Sequence, residues 1–245
     1  MPSVTAAAID VYEAALHSMS LTEVPSNAHG HWYTRTASGY RHPIGGDLRR
    51  WCGTADATDR ALLERCPGTV LDVGCGPGRM VAELERVGRQ GMGLDTSAAA
   101  IRLTRATGAV AVHGSVFDPV PGEGSWDTAL LADGNIGIGG DPVALLDRCR
   151  ALIGPGGRIV LELAPDGTGL RFDRVRLERT GQRGEWFDWA LLGVDAVAEV
   201  AAAAGLWVPE CWEDDGRRFA VLVPTGVTAA QPDAALGATG LGLAS

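Results

Sequence analysis

The stretch Val70-Leu71-Asp72-Val73-Gly74-Cys75-Gly76-Pro77-Gly78-Arg79 puts a buried-strand pattern directly before a glycine-rich turn that opens a helix. Gly74, Gly76 and Gly78 let the backbone turn tightly and approach a ligand closely. Dinucleotide-binding folds also carry a glycine turn after their first strand, but with the spacing G-x-G-x-x-G; here it is G-x-G-x-G. Asp72, two residues before the first glycine, supplies a carboxylate, which suits a cationic ligand better than a pyrophosphate. Cys75, inside the turn, reads as a small packing residue rather than a nucleophile.

Three further groups could do chemistry. Ala132-Asp133-Gly134-Asn135 ends a fourth strand-like run, where ligands bind in open α/β sheets. Asp133 there is the leading candidate for a base or an acceptor-orienting group; the competing reading is a loop acid capping the turn at Gly134 and Asn135. The run from His29 to Trp51 holds His29, His31, Tyr33, Arg35, Tyr40, His42, Arg49 and Arg50, with Asp47 as its one acid. An acceptor pocket with His29 or His31 as base, and with Tyr33 and Arg35 on an anionic substrate, is one reading. A packing segment with solvated arginines is the other, and it is preferred for Arg49, Arg50 and Trp51. A metal site on His29, His31 and His42 lacks a carboxylate or thiolate at ligand spacing, so no metal is expected. Trp186, Phe187 and Trp189 could cover an apolar acceptor or simply fix a hairpin to its domain.

Short β-rich runs alternate with helical runs from Thr69 to Leu163, the pattern of a parallel sheet wrapped by helices. Strands are expected at Thr69–Val73, Gln90–Leu94, Ala109–His113, Trp126–Leu131 and Arg158–Leu163. The last is launched by the turn Gly154-Pro155-Gly156-Gly157. Residues 1–56 form a separate segment, read as a lid. Residues 57–224 form the α/β domain, with an insert over 166–192 read as a cap hairpin. Residues 225–245 have little to bury and are expected to be a disordered tail.

The chain has 245 residues and a formal charge of −9, which opposes nonspecific binding to a phosphate backbone. Nucleic acid is therefore not expected as a partner. All 21 basic residues are arginine, so a P-loop lysine, a pyridoxal Schiff base and a lysine general base are impossible. Five cysteines without a C-x-x-C pair argue against a disulfide framework or a structural zinc. With no long apolar run and no signal-like N-terminus, no membrane contact and a cytoplasmic location are expected.

At Val70 to Arg79 the sequence resembles the class I S-adenosylmethionine-dependent methyltransferase family. The resemblance extends to Gly93-Leu94-Asp95-Thr96-Ser97 and to Leu152-Ile153-Gly154-Pro155-Gly156-Gly157-Arg158. It implies a doubly wound, seven-stranded, mostly parallel sheet with S-adenosylmethionine as cofactor and S-adenosylhomocysteine as product. By that resemblance Asp72, Gly74, Cys75, Gly76 and Gly78 hold the amino-acid end, and Asp95 with Thr96 the ribose. Ser115 and Val116 would hold adenine, although many relatives carry an acid near this point. Ala132 to Asn135 would border the transferred methyl, with Asn135 and Trp186 on the acceptor. The DNA amino-methyltransferase motif [DN]-P-P-[YFW] is not present after the fourth strand, which points to a small-molecule acceptor. The arginine-only, alanine-rich composition suggests a bacterial specialised metabolite. Rival readings are non-methyl chemistry on the same cofactor, or a nicotinamide oxidoreductase using the same turn. Oligomeric state is not encoded in any motif.

Overall fold

A computed structural model describes residues 11–17 and 32–226 of the chain; His29, His31 and the 227–245 tail lie outside the described residues. Residues 11–17 are helical and are called α1. Next come β1 (Tyr33–Thr36), β2 (Arg41–Pro43), α2 (Gly45–Trp51) and α3 (Ala57–Glu64). The central alternation follows: β3 (Val70–Val73), α4 (Arg79–Arg86), β4 (Gly91–Asp95), α5 (Ala98–Ala106), β5 (Ala111–His113), β6 (Trp126–Leu131), α6 (Pro142–Leu152) and β7 (Ile153–Leu163). The chain continues through β8 (Leu170–Arg179), β9 (Gln182–Arg183), β10 (Phe187–Leu192), α7 (Val197–Ala203), β11 (Leu206–Asp214) and β12 (Arg217–Pro224).

Seven strands form one sheet in the order β11-β12-β7-β6-β3-β4-β5. The five strands from β7 to β5 run parallel, while β12 and β11 add an antiparallel edge. Local chemistry sets where the helices begin. Ser97 accepts from Ala100 N at the start of α5, Asp141 accepts from Ala144 N ahead of Pro142 in α6, and Asp56 and Asp59 form a reciprocal capping box on α3. The sheet is apolar on both faces, with one buried cluster running from Leu71 and Val73 to Leu145, Leu161 and Leu206. A second runs from Leu62 and Val70 to Leu84, Leu130 and Phe219. A parallel sheet buried on both sides needs such continuous Val, Ile and Leu runs.

Two boundaries depart from the sequence reading. β7 begins at Ile153, not Arg158, because the Gly154–Gly157 stretch stays in the strand and is absorbed by a register shift against β6 between Trp126 and Thr128. The expected hairpin over 166–192 does pair, Phe187 to Leu192 against Val175 to Leu170, but it does not stand alone. β8 also pairs with β1, and β1 with β2, giving a second, five-stranded sheet of order β10-β8-β1-β2, with β9 paired to β8. The N-terminal segment and the insert are thus one structural layer. Among the described residues no helix is long and apolar enough to cross a membrane.

Candidate active site

The glycine turn sits at the carboxyl end of β3. Gly74 N and Cys75 N both donate to Leu94 O, at 2.8 and 3.1 Å, and Gly76 N donates to Asp95 Oδ2 at 2.9 Å. At Gly78, φ is +93° and an added Cβ would lie 2.5 Å from Thr104 Cγ2, so only glycine lets α4 start this close to α5. Thr104 returns the contact by donating from Oγ1 to Gly76 O at 2.9 Å. The Cys75 side chain points inward, buried with Ile101 and Ala111, as a packing residue would.

Two carboxyls flank this turn in unlike settings. Asp72 is buried, and burial first, then the neighbouring Asp133 and Asp95, pushes its carboxyl up to about 8. Among the described residues no cation offsets those effects. Asp95 is raised by burial too, but Ser97 N donates to Oδ1 at 2.8 Å and, with Gly76 N, opposes that shift. The residues beyond β4 and β5 are arranged by backbone contacts. Thr96 O faces His113 Nε2 at 2.9 Å, Ser115 Oγ accepts from Phe117 N at 3.2 Å, and buried Val116 accepts at its carbonyl from Arg148 Nε at 2.8 Å. The serine hydroxyl is therefore engaged in its own turn.

After β6, buried Ala132 leads into Asp133, whose φ of +56° is rare for a residue with a side chain. Its N donates to Glu162 Oε2 at 2.8 Å. Its Oδ2 accepts from Arg79 Nη2 at 2.6 Å, its Oδ1 accepts from Arg50, and Arg217 Nη2 lies 3.9 Å from Oδ1. Arg79 and Arg217 also both bind Asp59, and Arg217 binds Glu162 at 2.8 Å. Three guanidiniums and three carboxylates thus interlock α2, α3, α4, β7 and β12 around one loop. Arg50, read from the sequence as a solvated arginine, instead joins the N-terminal segment to the core. Asn135 closes the second side: its Nδ2 donates to Val73 O and Gly74 O, both at 2.9 Å, so its amide ties the β6 loop to the glycine turn.

Tyr33, Arg35 and Trp186 converge on the second sheet. Tyr33 pairs across from Glu178 and Arg35 across from Arg176, which puts all four on one face. Arg35 Nε donates to Glu178 Oε2 at 3.0 Å, Arg176 Nε donates to Glu178 Oε1 at 2.6 Å, and the Arg176 guanidinium lies 4.4 Å above the Trp186 ring. Burial raises the Glu178 carboxyl, yet Arg35 and Arg176 together bring it below the ordinary range. Arg41 stacks 4.1 Å over Tyr33.

Sequence reasoning gave no role to Arg79, Arg217, Asp59 and Glu162, which only the fold brings together. It also missed Tyr12 of α1, half-buried near Asp95. One usable signal existed, the arginine immediately after the last glycine of the turn.

The sequence family described as methyltransferase domain matches residues 46–208. Among solved structures, an S-adenosylmethionine-dependent methyltransferase from Bacteroides fragilis, in complex with S-adenosyl-L-homocysteine, is similar with a TM-score of 0.72. It is 19% identical over 91% of this chain and 98% of that one. The CcbJ methyltransferase from Streptomyces caelestis gives 0.51 at 17% identity, covering 67% of this chain and 92% of its own. The glycopeptide N-methyltransferase MtfA with S-adenosylmethionine gives 0.55 at 16%, covering 71% and 88%. At such identities the likeness is one of fold. No curated protein matches the chain by sequence. The match to more than half of the chain, on a seven-stranded sheet with its glycine turn after β3, makes this chain a member of the methyltransferase-domain family with the class I S-adenosylmethionine-dependent fold.

Proposed function

We propose that the chain transfers a methyl group from S-adenosylmethionine to a small-molecule acceptor. The observation that carries this reading is Asp72 beside the glycine turn, pushed upward by burial and then by two further acids, and offset by no cation among the described residues. Such a pocket favours a ligand with positive charge near the turn, and S-adenosylmethionine brings both an ammonium and a sulfonium. A nicotinamide dinucleotide would instead place its pyrophosphate there, against three carboxyls. When bound, S-adenosylmethionine supplies an electrophilic methyl on sulfur, so the protein has to align the acceptor, exclude water and, where needed, take a proton.

Asp72 and the turn from Gly74 to Gly78 hold the amino-acid end, Asp95 and Thr96 the ribose, and Ser115 and Val116 the adenine edge. Of the two roles open to Asp133, orientation is the one its ion pairs support, because both its oxygens already face guanidiniums. Asn135 supports the same loop from the other side. His29 and His31 remain the candidates for a base. Tyr33, Arg35 and Trp186 form the acceptor-facing group, and their arginines suit an acceptor with an anionic or electron-rich ring. The five cysteines are free thiols, which suits a reducing cytoplasm, and the arginine-only composition suits a bacterial specialised metabolite as acceptor.

Calorimetric titration with S-adenosylmethionine, S-adenosylhomocysteine and NADH tests the reading. Binding of the first two, lost in Asp95→Ala, is the expected result. Binding of NADH alone overturns it.

A further inference from the structure

Helix α1 lies outside the segment matched by the family yet packs against the glycine turn. Its Ala15 and Leu16 are fully buried among Trp32, Ile44, Leu48, Ala100 and Leu177, which wedges the helix between α5, α2 and the second sheet. Glu13 adds a polar anchor. Its Oε1 accepts from Ala99 N at 2.9 Å and from Ser97 Oγ at 3.1 Å. Those donors sit at the open N-terminus of α5, where unpaired N–H groups and the helix dipole favour a carboxylate. Ser97 N donates to Asp95 at the same time, so one residue joins α1 to the acid assigned to the ribose.

Tyr12, the residue before that anchor, stands edge-on to Trp51 with ring centroids 6.4 Å apart. Its hydroxyl hangs over the turn, and a Cβ built on Gly76 would come within 3.2 Å of it. Glycine at position 76 therefore leaves open the space between hydroxyl and backbone. Among the described residues no hydrogen bond holds this hydroxyl. Burial, and next the charge of Asp95, keep it protonated well above its ordinary range, so it is available as a donor over the turn. Asp95 does not accept from it: its two oxygens receive from Gly76 N and Ser97 N.

Resting on the cofactor reading above, we infer that Tyr12 is a cofactor-binding residue whose hydroxyl donates to the carboxylate of the cofactor's methionine end, a contact that exists only when α1 is docked. The acids around the turn answer the two positive centres of that ligand. Its one negative centre needs a donor, and Tyr12 carries one at the turn itself. Docking of α1 through Glu13 and Leu16 thereby becomes part of cofactor affinity.

Calorimetry on the full chain tests this, with Tyr12→Phe compared to wild type against two ligands: S-adenosylhomocysteine and its decarboxylated analogue, which keeps the ammonium. Phenylalanine keeps the ring on Trp51 and removes only the donor. The variant should bind S-adenosylhomocysteine roughly tenfold to a hundredfold more weakly, the range for one hydrogen bond to a charged group, and the analogue as tightly as wild type does. Unchanged affinity for S-adenosylhomocysteine, or equal weakening of both ligands, overturns the assignment. Wild type that binds neither ligand overturns the cofactor reading itself, an outcome distinct from a silent Tyr12→Phe.

Discussion

Cofactor binding should release a proton, and the source is Asp72. Its carboxyl ordinarily titrates at 3.8 and is pushed up to about 8 by burial and by the nearby Asp133 and Asp95. At pH 7 about nine-tenths of the free protein then carries a proton there. A bound sulfonium and ammonium favour the ionised form, so binding at pH 7 should expel roughly 0.9 proton, falling toward zero at pH 9. Affinity should rise close to tenfold per pH unit up to about 8 and then level off. The assay is calorimetry with S-adenosylhomocysteine, which retains the ammonium, in two buffers of different ionisation enthalpy; the difference in heat counts the protons. The sign for stability is the reverse. Because the folded state holds its proton to a higher pH than the unfolded chain, stability from this group is greatest below about pH 4. It is lost as pH rises to about 8, by at most ~1.4 kcal/mol per unit. Asp72→Asn should abolish the proton release and flatten that decline. Equal heats in both buffers at pH 7, with an affinity indifferent to pH, would refute the claim that Asp72 sits without a countercharge.

Two other perturbations read the same site. Asp133→Asn removes the carboxylate shared by buried Arg79 and half-buried Arg50, while Arg79 keeps its bond to Asp59, so chemical denaturation should show a loss of about 1.5–3 kcal/mol; a stable variant that loses only turnover would restore the base role. Gly78→Ala must adopt a left-handed backbone and push Thr104 aside, which should cost at least ~2 kcal/mol in a thermal melt and abolish cofactor binding, while a wild-type melt would show that Thr104 yields freely.

The α/β core was legible because its information is local. Each strand from Val70 to Leu163 is a short apolar run, α5 and α6 start at the caps Ser97 and Asp141, and the glycine turn at Gly74 to Gly78 joins β3 to α4. The second sheet was not legible as a sheet. The β8–β10 hairpin follows from neighbouring runs, but the pairing of Arg35 with Arg176 depends on contact between distant parts of the chain. The buried ion network was hidden for the same reason: Arg50, Arg79 and Arg217 look like surface arginines, and only the fold brings Asp59 and Glu162 to them. Tyr12 was hidden by its own ordinariness, since an aromatic on a short apolar helix reads as core. Asn135 was read as touching the acceptor; the bonds from its amide to Val73 O and Gly74 O are ones no turn pattern reveals.

The second sheet also sets an order of assembly. Arg35 and its partner Glu178 are 143 positions apart, so β1 waits for β8 to be made. At the ~5–20 residues per second of synthesis, that delay is roughly seven to thirty seconds, long against the folding of a local βαβ unit. During it, β1 and β2 lack β8 as a partner while the parallel strands β3 to β7 are already emerging. The second sheet is thus completed only after the parallel strands β3 to β7 have been made, even though β1 and β2 are translated before them.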